Sequence, residues 1–127
     1  MFTNKILIFD KECKMQKYKY QKELDLFNAA TEAATVACQQ MLLGENAGQW
    51  YPCGFSWVNI KPARGRFVAM LKDQKLGRLD TFEGGYVIYN PSNISTQWMD
   101  AKMAGSRAFA NVLVEAGISA RAVARID

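Results

Sequence analysis

The chain contains no histidine. That absence removes the commonest general base and the commonest metal ligand. A Ser-His-Asp or Cys-His nucleophile system is excluded, so any catalysis would rest on carboxylates, Lys, Tyr, Cys or bound water. Cysteine is scarce. Cys13, Cys38 and Cys53 are odd in number and widely spaced, which fits neither a disulfide framework nor a zinc site and reads as three reduced thiols. Three prolines and nine glycines in 127 residues are too few for a largely disordered chain. Long apolar runs are missing as well. The run near the start, Ile6 to Phe9, is too short to span a bilayer or to form a signal-peptide core. No metal, cofactor or membrane partner is expected, and a cytoplasmic location is.

What is present is an ordinary globular mixture, 50% hydrophobic and 22% charged. The length suits one domain, residues 1–127, with residues 1–18 as a loosely attached basic segment. The net charge of +4 permits an anionic partner without demanding one. Six lysines between Lys5 and Lys22 face only Asp10 and Glu12. A solvated terminal segment is the plainer reading of that run.

Periodicity predicts the elements. Residues 2–9 read as a strand. From about Lys19 to Leu43, Leu24, Phe27, Thr31, Ala34, Cys38 and Met41 recur at helical spacing, and Gly44 is the expected stop. Cys53 to Ile60 reads as a strand, and Ala63 to Leu76 as a helix carrying Phe67, Met70, Leu71 and Gln74 on one side. Residues 78–83 read as loop. Tyr86 to Tyr89 reads as a buried central strand. A helix over about 96–116 follows, capped by Ser95 or Thr96, with Gly105 marking close approach of another backbone. From Ile118 to Ile126 the residues alternate, with Arg121, Val123 and Arg125 on one side, the pattern of a half-exposed strand. The expected fold is α+β, a small mixed sheet of three to four strands covered by three helices, in the order β-α-β-α-β-α-β.

Two loops carry ligand-binding candidates. Lys61, Arg64 and Arg66 lie between a strand end and a helix start, where exposed amides favour anions, although a solvated basic turn explains them too. Asn90, Ser92, Thr96 and Gln97 occupy a second such junction, where ordinary turn chemistry is the alternative. If the two preceding strands are parallel, both loops share one sheet edge and form one pocket. If antiparallel, they separate. The catalytic candidates are Asp100 and Glu83 as base, with Tyr89 and Lys102 assisting. Cys53 reads as a buried structural cysteine. Lys17-Tyr18-Lys19-Tyr20 mixes cations with aromatics, a pattern suited to single-stranded nucleic acid.

The segments Trp50-Tyr-Pro-Cys-Gly-Phe-Ser-Trp-Val-Asn-Ile60, Lys61-Pro-Ala-Arg-Gly-Arg66, Gly84-Gly85 with Tyr89-Asn-Pro-Ser92, and the C-terminal stretch from Gln97 through Asp100-Ala-Lys102 to Arg125-Ile-Asp127 resemble a family of small uncharacterised proteins of tailed bacteriophages. The resemblance covers about residues 50–127. It implies a phage origin and the host cytoplasm, and transfers no catalytic residue. Ser56 stands where alanine is expected in relatives. The leading expectation is then a phage accessory protein acting by binding, to a host or defence protein or to a nucleotide-like anion at helix N-termini. The alternatives are a small enzyme acting on a nucleotide or phosphorylated metabolite, and a nucleic-acid-binding protein using the basic N-terminal segment and the Arg121/Arg125 strand face. A homo-oligomer is expected from the alanine-rich helix and the edge strands.

Overall fold

The computed structural model describes residues 18–44 and 52–127. The strand expected over residues 2–9, together with Lys17, Trp50 and Tyr51, lies outside the described residues. Among the described residues the elements are helix α1 (Gln21–Leu42), strand β1 (Gly54–Ile60), helix α2 (Arg66–Asp73), strands β2 (Arg78–Leu79) and β3 (Tyr86–Tyr89), helix α3 (Met99–Glu115) and strand β4 (Ala120–Ile126). The fold is α+β, and the sheet order is β2-β3-β1-β4. Every pairing is antiparallel, so the sheet is not mixed. From β1 onward the order β-α-β-β-α-β with this strand order is the split βαβ, or ferredoxin-like, arrangement. Helix α1 is an addition to it.

The three helices of the described residues lie on one side of the sheet. Helix α3 packs against β1 and β4, and α1 packs along α3 and touches α2. The core joins Val58, Ile60, Tyr86 and Ile88 of the sheet to Ala30, Ala34, Phe67, Met70, Leu71, Phe109 and Leu113. Helix α1 approaches α3 closely because both present small residues. A Cβ on Gly105 would lie 3.2 Å from the Ala34 carbonyl oxygen, the close backbone approach its position suggested. Phe27 and Phe109 fill the adjoining space edge to face, with ring centroids 5.7 Å apart.

Several local expectations change. Helix α2 is shorter than Ala63 to Leu76. Phe67, Met70 and Leu71 are buried as expected, whereas Gln74 is the exposed C-cap residue. Gly44 does not take the left-handed conformation, unlike Gly77 and Gly117. Residues 78–83 are not all loop, because Arg78 and Leu79 pair with β3. Helix α3 starts at Met99, and the Thr96 hydroxyl accepts the Trp98 N–H at 3.2 Å just ahead of it. Ser56 is buried between β1 and α3. Its Oγ lies 2.7 Å from Ser106 Oγ and 2.8 Å from the Val123 carbonyl. A hydroxyl has one proton, so it donates to the carbonyl and accepts from Ser106.

Candidate nucleic-acid interface

Alternation along the strands decides what the helix-free face presents. On β1, Gly54, Ser56, Val58 and Ile60 are buried toward the helices, while Phe55, Trp57 and Asn59 point the other way. Register carries this parity across the sheet. Trp57 pairs with Tyr89 on β3 and Val123 on β4, Phe55 with Arg125, and Asn59 with Arg121. Arg78 of β2 joins the same face opposite Val87. The outcome is a row of aromatic rings on the two central strands flanked by arginines on both edge strands.

The rings and cations touch. Trp57 and Tyr89 are tilted against each other with centroids 5.5 Å apart. The Arg78 guanidinium stands 5.1 Å from the Tyr89 ring centroid and donates to its hydroxyl at 3.3 Å. Phe55 carries Lys102 Nζ at 5.4 Å and the Arg125 guanidinium at 5.8 Å. Such contacts hold cations beside aromatic faces without neutralising them. Tyr89 remains 46% exposed and Phe55 43%, a large apolar area for a sheet face that none of the described helices covers. Among the described residues the only ion pair is Glu23 with Arg66; Arg121 and Arg125 make none, and Arg78 feels the nearby Asp80 carboxylate without bonding to it.

The loop between β2 and β3 arches over one end of this face. Its backbone closes on itself, with Asp80 N–H donating to Gly85 and Gly84 N–H donating to Asp80, both at 2.9 Å. Asn59 Nδ2 donates to the Gly84 carbonyl at 3.0 Å and is buried beneath the loop. Gly85 is required here. Its φ is +89°, and a Cβ would come within 2.2 Å of Asn59 Oδ1. Between loop and sheet runs a cleft of about 650 Å³, bordered by Trp57, Tyr89, Arg78, Phe82, Glu83 and Arg121. That size suits a small organic ligand.

Asp80 fixes the loop. Its Oδ1 accepts the N–H groups of Phe82 at 2.9 Å and Glu83 at 3.0 Å. Those bonds, Glu83 first and then Phe82, hold its carboxyl below the ordinary carboxylate range. A lowered folded value means that the contribution is complete above the free value of about 3.9 and is lost as pH falls through the folded value. The amide resonance of Phe82 is therefore expected to stay fixed from neutral pH down to about 4 and to move only in more acidic solution. A midpoint at or above the free carboxyl value would contradict this role.

The other candidates sort differently. Because β1 and β3 are antiparallel, the loops at 61–66 and 90–97 leave opposite ends of the sheet, and the shared pocket does not form. Lys61, Arg64 and Arg66 do border one cleft of about 790 Å³ floored by Leu26, Ile60 and Phe67, but Glu23 and Asp25 share its rim. Arg66 is committed, bonding Glu23 Oε2 at 3.0 Å and the Lys19 carbonyl at 2.8 Å. That bond from Arg66 is the main cause holding the Glu23 carboxyl below its usual range. This cleft is the larger of the two and both are mixed in charge; what it lacks is the sheet face's row of exposed aromatic rings, and one of its cations, Arg66, is already paired. In the other loop the polar groups answer one another. Asn90 Nδ2 donates to the Ile94 carbonyl, Ser92 Oγ donates to Asn90 Oδ1 and accepts from Ile94 N–H, and Gln97 Oε1 faces Cys53 Sγ at 3.5 Å. That is turn chemistry with little left for a ligand.

Of the catalytic candidates, Glu83 and Tyr89 border the sheet cleft. Asp100 is exposed in the first turn of α3, and Lys102 donates to the Gly54 carbonyl at 2.8 Å. The four do not converge. Cys53 is exposed rather than buried. Tyr18 and Tyr20 pack against the core, with Tyr18 donating to Asp73 and Tyr20 beneath Lys19 and Arg66, so these rings are not a free stacking surface. Among the described residues no cluster of acidic or cysteine side chains could hold a metal, and no helix is long and apolar enough to cross a membrane. The residues missed from sequence are Phe55, Trp57, Arg78 and Phe82. Phe55 and Trp57 share a strand parity, but with the small Gly54 and Ser56 inward that parity does not mark which side is exposed. Comparison of the chain with family models, with curated proteins and with solved structures finds no match.

Proposed function

We propose that this protein binds single-stranded nucleic acid across the helix-free face of its sheet. The observation that carries the reading is the combination on one exposed surface of Phe55, Trp57 and Tyr89 with Arg78, Arg121 and Arg125. Bases stack on aromatic rings whatever their sequence, and arginines beside the rings attract the phosphates. Stacking needs unpaired bases, so the partner is a single strand rather than a duplex. RNA-recognition domains use the central strands of a four-stranded sheet in the same way, which is an analogy of architecture and not of descent. Nucleic acid takes precedence over a host protein because the surface sets exposed rings beside arginines that make no salt bridge among the described residues. It takes precedence over an isolated anion because Arg66, Asn90 and Ser92 of the two loops are occupied by internal partners and the two loops do not share a pocket. The phage resemblance gives the setting, an accessory protein acting in the host cell.

Fluorescence anisotropy with short DNA and RNA oligonucleotides tests this. Affinity is expected to fall with salt with a log–log slope of about −2, from three arginines at about −0.7 each for single strands. Arg121→Gln and Arg125→Gln are each expected to weaken binding uniformly across sequences and to reduce the slope by about 0.7. Salt-insensitive binding, or none to any single strand, would overturn the reading.

A further inference from the structure

The open face is not uniform, and its loop end differs chemically from the rest. Phe82 is 95% exposed at the tip of the β2–β3 loop, on the border of the cleft that Trp57 and Tyr89 floor. The Asp80 turn holds both Phe82 and Glu83 by their backbone, so the tip is a shaped hairpin and not a loose strand. Beside Phe82, Glu83 brings a second carboxylate into the cleft; that of Asp80, which also borders it, is taken up by the Phe82 and Glu83 N–H groups. Among the described residues the Glu83 carboxylate has no ion pair and accepts no hydrogen bond. A phosphate would be repelled there. What suits an acceptor-only group is a ligand edge rich in donors.

We propose that this cleft takes one nucleobase of the bound strand, covered by Phe82 and floored by Tyr89 and Trp57, and that Glu83 selects guanine. The inference rests on the reading of the sheet as a single-strand platform and adds a base-selective position to it. Among the common bases guanine alone presents two adjacent N–H donors, N1–H and the 2-amino group, on its pairing edge. A carboxylate accepts both in parallel. Adenine and cytosine place a ring acceptor beside their amino group, and uracil flanks its single N–H with carbonyls, so each would set an acceptor against Glu83. Arg78, 5.1 Å from the Tyr89 ring centroid, supplies the cation for the attached phosphate. The cleft of about 650 Å³ is roomy enough for one nucleotide.

Titration of the full chain with GMP, IMP, AMP and CMP tests the proposal, read by intrinsic tryptophan fluorescence and by calorimetry. IMP differs from GMP only by the missing 2-amino group. GMP is expected to bind about ten-fold tighter than IMP, the size of a lost base-edge hydrogen bond, and tighter still than AMP and CMP. Glu83→Gln is expected to erase that preference, and Phe82→Ala to weaken all four mononucleotides about ten-fold by removing one stacking partner. Both side chains are exposed, so neither change threatens folding. Equal affinity for GMP and IMP, or a preference unchanged in Glu83→Gln, would overturn the guanine assignment. If oligonucleotides bind in a salt-dependent way while no mononucleotide is distinguished, the platform stands and the base cleft falls. If GMP is preferred while oligonucleotides bind no more tightly than GMP alone, the cleft stands and the platform falls.

Discussion

Replacing Trp57 and Tyr89 together by alanine is expected to lower the affinity for a short single-stranded oligonucleotide by about 10²- to 10³-fold, with the fold intact. The two rings lie on neighbouring central strands and in register, 5.5 Å apart, so together they form the middle of the face. Each base stacked on an aromatic side chain is worth about 1–3 kcal/mol, and two such losses give a decrease of this order. Neither ring belongs to the helix-side core. Circular dichroism of the double variant should therefore match that of the parent. The double variant Trp57→Phe, Tyr89→Phe keeps both ring faces and should retain most of the affinity, which a merely structural explanation would not require. Parental binding by the double alanine variant would show that the strand lies elsewhere.

Parts of this surface were legible in the sequence and parts were not, for identifiable reasons. The alternation from Ile118 to Ile126 placed Arg121 and Arg125 on one exposed side, because β4 has small alanines inward and charge outward. The same periodicity fails on β1. There the inward residues near the start are Gly54 and Ser56, small because α3 comes close. A Cβ on Gly54 would lie 2.8 Å from Met99 Sδ, and Ser56 bonds Ser106. The large apolar residues, Phe55 and Trp57, face outward instead. Hydrophobic contrast is thus inverted where the candidate site lies. Strand direction was unreadable for a different reason. Nothing local distinguishes a β1 that pairs parallel from one that pairs antiparallel, and the two loops part company only once register is known. Strand β2, at two residues, is too short to show any period. The partnership of Glu23 with Arg66 links positions 43 apart and exists only because α1 crosses the start of α2.

Phe109→Ala is expected to have the largest effect on stability, about 3–5 kcal/mol, and none on the sheet face itself. Phe109 is wholly buried at the centre of α3 and meets Phe27 of α1 edge to face. Truncation removes the transfer energy of the ring and leaves a cavity between two helices already held close by Gly105 and Ala34. Those backbones cannot move closer to fill it, because the Gly105–Ala34 contact is already tight. The loss is a large share of the total stability of an ordinary domain, about 5–15 kcal/mol. For a chain of this size it corresponds to a fall in Tm of about 10–25 °C. Thermal unfolding followed by circular dichroism reads this directly. Below the lowered Tm, the folded variant should bind an oligonucleotide as the parent does, since the ring sits on the helix side of the sheet, away from Trp57 and Tyr89. A shift of less than a few degrees would mean that the α1–α3 interface collapses around the missing ring. Loss of binding at a temperature where the variant is folded would mean that the helix layer, not the exposed sheet face, meets the strand.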